Sequence, residues 1–416
     1  MADLLSVDAA LEHILSRFDQ LPDEMIAITD ALGRVLAQDI ESTINLPPFA
    51  NSSMDGYAVR AADISGASAT APARLRVVMD IPAGTAPEDT IRTGEAARIM
   101  TGAPLPDGAD AVVPVEQTDT NWRAGGATDL PEYVSIYHAA QVGDNVRPAG
   151  EDVRTGQIVL RAGTRLRPQD IGILAALGRA QIPVVRQPRV AVVSTGDELV
   201  EVGEPLAPGQ IRDSNSHTIS GLVASYGGIP LRQPFARDTL DSVRRMFDTA
   251  LSQQPDMMIS SAGVSVGTYD VVRAVLEELV EVQFWRVNVR PGKPLAFGQV
   301  QGVPFFGLPG NPVSAMVTFD VFVRPALLRL LGLRDDPETI TAITGEDLRS
   351  DGRRSYLRVR LSRENGQTIA RTTGTQSSGA LMSMVLADGL LIIPENVTFV
   401  PAGTELSVRL LRSYIG

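Results

Sequence analysis

Cysteine is absent from the 416-residue chain, which excludes disulfides, thiolate zinc sites, iron–sulfur clusters and a cysteine nucleophile. Histidine is scarce, and His13, His138 and His217 lie far apart, so no His-rich metal centre is expected. Lysine occurs once, at Lys293, leaving Arg as every other basic side chain. Chemistry therefore falls to carboxylates, hydroxyls, Arg, backbone dipoles or an oxygen-bound cation. Long apolar runs are missing too, which argues against a membrane-spanning helix. The start, MADLLSVDAALEHIL, carries early acids and no basic stretch, so it does not read as a secretory signal and the cytoplasm is the expected address. Acids outnumber bases 49 to 37, a net charge of −12, which argues against a nucleic-acid partner. With 44% hydrophobic and 21% charged residues the chain is not disordered, and its length calls for several domains.

Apolar residues at Leu4, Leu5, Ala9, Leu11, Ile14, Leu15 and Phe18 keep helical spacing behind Ser6 or Asp8, and a second short helix is expected at 28–36. Residues 46–150 are rich in Pro, Gly and Ala, with short β-like runs at 74–79, 97–100, 111–115 and 133–137, which reads as a β-rich module with long loops. Pro168-Gln169-Asp170 leads a helix closed by Gly178. From Pro188 strands alternate with helices: strands at 189–193, 229–233, 257–260, 282–289, 295–300 and 303–307; helices at 218–226, 239–253, 271–279 and 312–331. That rhythm predicts a mostly parallel sheet covered on both faces. Residues 336–416, with strands at 356–361, 368–372, 389–393 and 405–411, predict a small β-barrel or sandwich.

Ligands of open α/β sheets bind beyond the C-terminal strand ends, and three motifs fall there. Ser194-Thr195-Gly196-Asp197-Glu198 offers hydroxyls and a glycine to a phosphate and carboxylates to a cation, or is an ordinary loop in which Asp197 caps a turn. Gly263-Val264-Ser265-Val266-Gly267-Thr268-Tyr269-Asp270 brings backbone N–H groups toward an anion, with Asp270 alternatively a simple N-cap. It mimics a hydrolase nucleophile elbow, but no histidine follows His217 to complete one. Pro291-Gly292-Lys293-Pro294 and Gly307-Leu308-Pro309-Gly310-Asn311-Pro312 form two rigid loops, one bearing the sole lysine, that suit an anion; Asn311 and Pro312 also fit the N-cap and first turn of a helix. Asn51 to Tyr57, Met100 to Ala103 and Pro148 to Asp152 are polar loops elsewhere, and the cations Arg353, Arg354, Arg358 and Arg360 read as a solvated strand face.

Taken together these segments resemble the MoeA family of molybdopterin molybdenumtransferases, which includes the E domain of gephyrin. The resemblance is carried by PPFANSSMDGYAV (47–59), RIMTGAPLPDGADAVV (98–113), VRPAGEDV (146–153), VVSTGDELV (192–200), IRDSNS (211–216), ISSAGVSVGTYD (259–270), RPGKPLAFG (290–298) and GLPGNPVSA (307–315). It implies an elongated multidomain α/β plus β protein. The implied parts are a helical linker domain from residues 1–44 plus 151–186, a β-rich module at 45–150, an α/β domain at 187–333 and a β-barrel at 334–416. It implies a homodimer whose active-site cleft is shared between subunits, and transient contact with other proteins of molybdenum cofactor synthesis.

The implied reaction joins molybdate to adenylylated molybdopterin, releases AMP and is assisted by Mg2+. Matched to the family's motifs, Asp55, Thr101, Glu198, Asp238 and Asp270 are the implied catalytic residues. Glu198, Asp238 and Asp270 are the implied cation ligands, and Asp152 would reach in from the partner beside Asp55 and Thr101. Ser194, Thr195, Gly196, Gly263, Ser265 and Gly267 would hold the pterin or its phosphate, with Pro309 and Pro312 nearby. Lys293, Arg286 and Arg290 would face the oxyanion; at 286 and 290 family members often carry Lys, and Arg changes a point charge into a planar fork. Two other readings are an adenylyltransferase, against which the extra SMDGY and MTG motifs argue, and a scaffold, against which the lack of an appended domain argues.

Overall fold

The computed structural model describes residues 4–120, 129–261, 278 and 280–411. It divides into two compact units: residues 1–25, 33–37 and 183–416, and residues 26–32 and 38–182.

The second unit is built on a five-stranded sheet in the order Ala111–Pro114, Gly56–Val59, Glu95–Ile99, Ala73–Ile81 and Tyr133–Ile136. Only the pair formed by Glu95–Ile99 and Ala73–Ile81 is parallel. Alternation puts Tyr57 and Val59 into one apolar cluster and Ala58 into another, so the Gly56–Val59 strand is buried on both faces. Gly56 is required there, because a Cβ would sit 2.0 Å from the carbonyl oxygen of Val113 on the neighbouring strand. The helix Pro168–Ala176 closes this unit, its start held by Asp170 bonding back to the Arg167 N–H at 2.9 Å.

The helix expected at 28–36 does not form. A single 3-10 turn, Ile28–Asp30, is followed by Gly33 at φ +75°, and Leu36 pairs with Val184 in an extended bridge. The left-handed glycine ends any helix before a second turn can close.

In the first unit the helix Val7–Leu15, capped by Ser6, buries Val7, Ala10 and Ile14 against the main core. The six-stranded sheet runs Ile229–Arg232, Arg189–Ser194, Met257–Ser261, Val303–Leu308, Pro294–Val300 and Glu281–Arg286. The first four are mutually parallel and Pro294–Val300 is antiparallel to both its neighbours. The mostly parallel sheet expected from the sequence is therefore present. The single helix expected over 312–331 is interrupted: Pro312–Thr318 and Arg324–Leu330 are joined by a π turn at Phe319–Val323.

Five C-terminal strands, Thr339–Thr344, Arg354–Glu364, Gln367–Thr372, Gly389–Ile393 and Glu405–Leu410, close on themselves as a barrel. The Thr339–Thr344 strand was absent from the sequence-based expectation. Leu357, Val359, Leu391, Ile393 and Val408 fill the barrel interior, while Tyr356 and Leu390, one residue out of phase, join the core of the α/β sheet and its helices. The outer face of these strands is thus covered by protein around Tyr356 and Leu390.

Candidate active site

In the second unit, the 51–57 and 100–103 loops are pinned to each other. Gly102 N–H donates to Ser52 O at 2.8 Å and Ser52 N–H to Ala103 O at 3.0 Å. Both the N–H and the hydroxyl of Thr101 donate to Asp55 Oδ1 at 2.7 Å, so Thr101 orients the carboxylate that the sequence singled out. Asp152 is exposed and its N–H donates to Leu46 O at 3.0 Å.

In the first unit, Arg189–Ser194 delivers its loop at the C-terminal edge of the parallel sheet. Gly196 N–H donates to Ala236 O at 3.1 Å, Asp238 N–H to Asp197 Oδ1 at 3.2 Å, and Arg237 Nη1 to Asp197 O at 2.6 Å. These bonds bring Glu198 and Asp238, 40 residues apart in sequence, onto adjoining loops. The Glu198 carboxylate lies over Gly196, where a Cβ would approach Oε2 to 2.6 Å. Ser194 and Thr195 are buried, with Ser194 Oγ 3.5 Å from Asp213 Oδ1; Asp213 caps the helix Ser214–Ser225 through Ser216 N–H at 3.0 Å. Asn215 Nδ2 ties two other strand ends together, donating to Ser261 Oγ at 2.8 Å and Gly310 O at 2.7 Å. Gly263, Ser265, Gly267 and Asp270 lie outside the described residues. Among the described residues no three carboxylate or imidazole groups converge as a ready metal cage.

A cavity of about 360 Å3 opens between the α/β domain and the barrel, lined by Arg290, Pro291, Gly292, Lys293, Pro294, Pro309, Asn311 and Ser314 from the first and Arg353, Leu357, Arg358, Gln376 and Ser378 from the second. Four cations and no carboxylate line it. Arg353 is paired with Asp351. Lys293 and Arg358 make no ion pair among the described residues. Arg358 is 1% exposed, and among the described residues its guanidinium donates to neutral oxygens alone: Ser383 Oγ at 3.1 Å, Ser377 O at 3.1 Å and Thr375 O at 3.4 Å. Burial, with Arg290 adding repulsion, pushes its pKa down to about 10, which still leaves it charged at neutral pH. A desolvated cation without a counter-ion is costly, and an anion in the cavity removes that cost.

The cationic run expected as a solvated face is corrected here. Arg360 is exposed, but Arg354 pairs with Asp8 and Glu395, Arg353 lines the cavity and Arg358 is buried. The cause is the covered outer face of the barrel. Of the other expected residues, Arg290, Lys293 and Pro309 line the cavity; Arg286 is exposed on its strand opposite Pro294 and does not line it. Pro312 is the first residue of its helix, and Asn311, at the N-cap position, turns its side chain to Ser378 Oγ at 3.0 Å instead of capping. Gly292, at φ +117°, lets the lysine loop pass the helix, since a Cβ would stand 2.3 Å from Thr318 Cγ2. Sequence reasoning missed Ser314, Arg353, Arg358, Gln376 and Ser378 as lining residues.

The charge of this cavity suits an anionic small molecule, and the known proteins that share the chain's sequence narrow the class. Residues 191–329 match the model described as a probable molybdopterin binding domain, residues 5–178 the MoeA N-terminal region (domain I and II), and residues 341–411 the MoeA C-terminal region (domain IV). The chain is 41% identical over 391 residues to a molybdopterin molybdenumtransferase 2 of Mycobacterium tuberculosis, covering 92% of this chain and 94% of that one. It is 34% identical to the molybdopterin molybdenumtransferase of Bacillus subtilis, covering 99% and 95%. A crystal structure of a molybdopterin biosynthesis MoeA protein from Pyrococcus horikoshii superposes with a TM-score of 0.83 at 35% identity, covering all of both chains. The chain belongs to the MoeA family, and it is an enzyme of molybdenum cofactor biosynthesis that inserts molybdenum.

Proposed function

We propose that the substrates are molybdate and adenylylated molybdopterin, that AMP is the leaving group, and that a divalent cation, Mg2+, assists. The observation that carries this reading is the cavity in which buried Arg358 has no carboxylate partner among the described residues, with Lys293 in the same lining. A tetrahedral dianion supplies the missing charge, and Asn311, Ser314 and Ser378 add neutral donors around it. Because the chain has no cysteine, no protein thiolate competes with the dithiolene sulfurs of the pterin for molybdenum.

Glu198 and Asp238, with Asp270, are the cation ligands in this reading. For Glu198 and Asp238 the chemistry fits: hard carboxylate oxygens on loops pinned to one another, with the Glu198 carboxylate lying over Gly196. The cation supplies charge neutralisation of the phosphoanhydride. The chain's own groups do the rest. Lys293 and Arg290 draw the oxyanion into the cavity, Arg358 holds it from the barrel side, and the glycine-rich loop at 263–267 receives the pterin phosphate. Cleavage is a displacement at the pterin phosphorus: a water oxygen bonds to it as the bridging P–O bond of the anhydride breaks, AMP leaves carrying the bridging oxygen, and the water's protons pass to solvent. Asp55, oriented by Thr101, and Asp152 complete the site from the partner subunit of a homodimer, with the chain divided into the four domains set out from the sequence.

The test is incubation of purified protein with adenylylated molybdopterin. AMP release that depends on molybdate and Mg2+ supports the reading; AMP release indifferent to molybdate, or consumption of ATP, overturns it.

A further inference from the structure

The helix that walls the cavity carries a buried charge cluster for which the chemistry above has no use. Pro312–Thr318 supplies Ser314 to the wall and then widens into the π turn Phe319–Val323, a geometry that often marks a functional adjustment in a helix. That turn holds Asp320, 2% exposed; Arg324 follows at 6%, and Arg409 on the barrel strand Glu405–Leu410 is 9% exposed. Arg409 Nη1 donates to Asp320 Oδ2 at 2.6 Å, and Arg324 Nη1 stands 3.0 Å from Asp320 Oδ1. Asp335 completes the ring, 2.8 Å from Arg324 Nη2 and 3.6 Å from Arg409 Nη2. Two charges of each sign cancel. Desolvated ion clusters give little net stability compared with apolar side chains of the same size, so geometry is the stronger account of what this one supplies.

Both cavity walls are tied to it. On the barrel side Arg409 pairs in register with Leu390, and Leu390 pairs with Arg358. The three lie in one row on one face, so the clamp and the cavity cation are two strand spacings apart, about 10 Å, in a hydrogen-bonded ladder. On the α/β side Asp320 is two residues beyond Thr318, whose methyl packs against Gly292, the neighbour of Lys293. Moving Asp320 relative to Arg409 therefore changes the gap between Lys293 and Arg358.

We propose that Asp320, Arg324, Asp335 and Arg409 are positioning residues that set the width of the cavity and thereby its preference for molybdate over sulfate. The two ions share charge and tetrahedral shape, so cations alone distinguish them poorly; they differ in size, because Mo–O bonds are longer than S–O bonds. The proposal rests on the reading that the cavity holds the oxyanion.

Calorimetric binding of molybdate and of sulfate to the full-length protein tests it. The variant Asp320→Asn with Arg409→Met removes one charge of each sign and leaves Arg324 with Asp335. The molybdate-to-sulfate affinity ratio is expected to fall at least fivefold. Arg409→Lys keeps the charge but loses the planar fork that reaches both carboxylates, and is expected to lower the ratio at least twofold; it decides the matter if the double variant fails to fold. A ratio unchanged in folded variants, or both affinities falling in parallel, overturns the positioning role. Wild-type protein that binds neither ion overturns the cavity reading itself, a failure distinct from an unchanged ratio.

Discussion

Arg358→Met is the most informative single substitution in the cavity. The side chain is 1% exposed, has no carboxylate partner among the described residues, and is bonded only to Ser383, Ser377 and Thr375. A hydrogen bond to a charged group contributes about 1.5–3 kcal/mol. At about 1.4 kcal/mol per tenfold, loss of the Arg358 contact to a bound dianion weakens affinity by roughly 10- to 100-fold. Folding stability responds differently. The variant abandons three hydrogen bonds to neutral oxygens but also relieves a buried, uncompensated cation, so the two effects oppose each other and Tm is expected within a few degrees of wild type. Calorimetric titration with molybdate at pH 7.5 reads the affinity, and thermal unfolding without oxyanion reads the stability. The pH dependence adds a check: Arg358 is charged below about 10, so the gap between wild type and variant should persist to pH 9 and close as pH rises through about 10. Affinity within twofold of wild type at pH 7.5, in a folded variant, refutes the argument.

Other outcomes follow from the same geometry. Gly196→Ala pushes a methyl into the Glu198 carboxylate, 2.6 Å away, and should lower molybdate-dependent AMP release at least tenfold while costing about 1 kcal/mol of stability. Thr101→Val removes the hydroxyl donor to Asp55 but keeps the backbone one, so activity should drop less than in Asp55→Asn; equal losses would contradict an orienting role. If the cleft is shared between subunits, mixing inactive Asp55→Ala and Asp270→Ala proteins should restore activity through heterodimers with one intact site, and no recovery despite verified exchange counts against it. Arg354 holds the Asp8 carboxyl below its usual pKa, so that contact stabilises the fold above pH ~4 and is lost as pH falls further; Asp8→Asn should flatten the acid limb of the Tm profile by no more than about 1 kcal/mol, Asp8 being largely exposed.

Much of the architecture was legible because local signals agreed with the tertiary outcome. Apolar runs such as Val190 to Val193 alternate with helices that end at glycines, and that pattern allows little but a covered parallel sheet. The 28–36 helix failed because Ile28 and Leu36 have helical spacing but Gly33 takes a left-handed turn between them. The π turn was illegible, since widening one turn depends on Arg409 and Asp335 reaching Asp320 and Arg324 from elsewhere in the chain. The cavity was half legible. Two Pro/Gly loops and a lone lysine marked the α/β wall, but alternation of Leu357, Arg358 and Val359 gave Arg358 to the outside of a barrel, where water is the default neighbour. Only the packing of that face, which Arg358 shares with Tyr356 and Leu390, against the α/β sheet and its helices turns it into a buried cation.

The central claim is that a tetrahedral molybdenum oxyanion sits between Lys293 and Arg358. Crystals grown with molybdate, with anomalous differences collected across the molybdenum absorption edge, test it most directly. The account predicts a molybdenum peak within hydrogen-bonding reach of both side chains, lost in Arg358→Met crystals. A peak only elsewhere in the molecule, with both residues ordered and the cavity holding water, would contradict it.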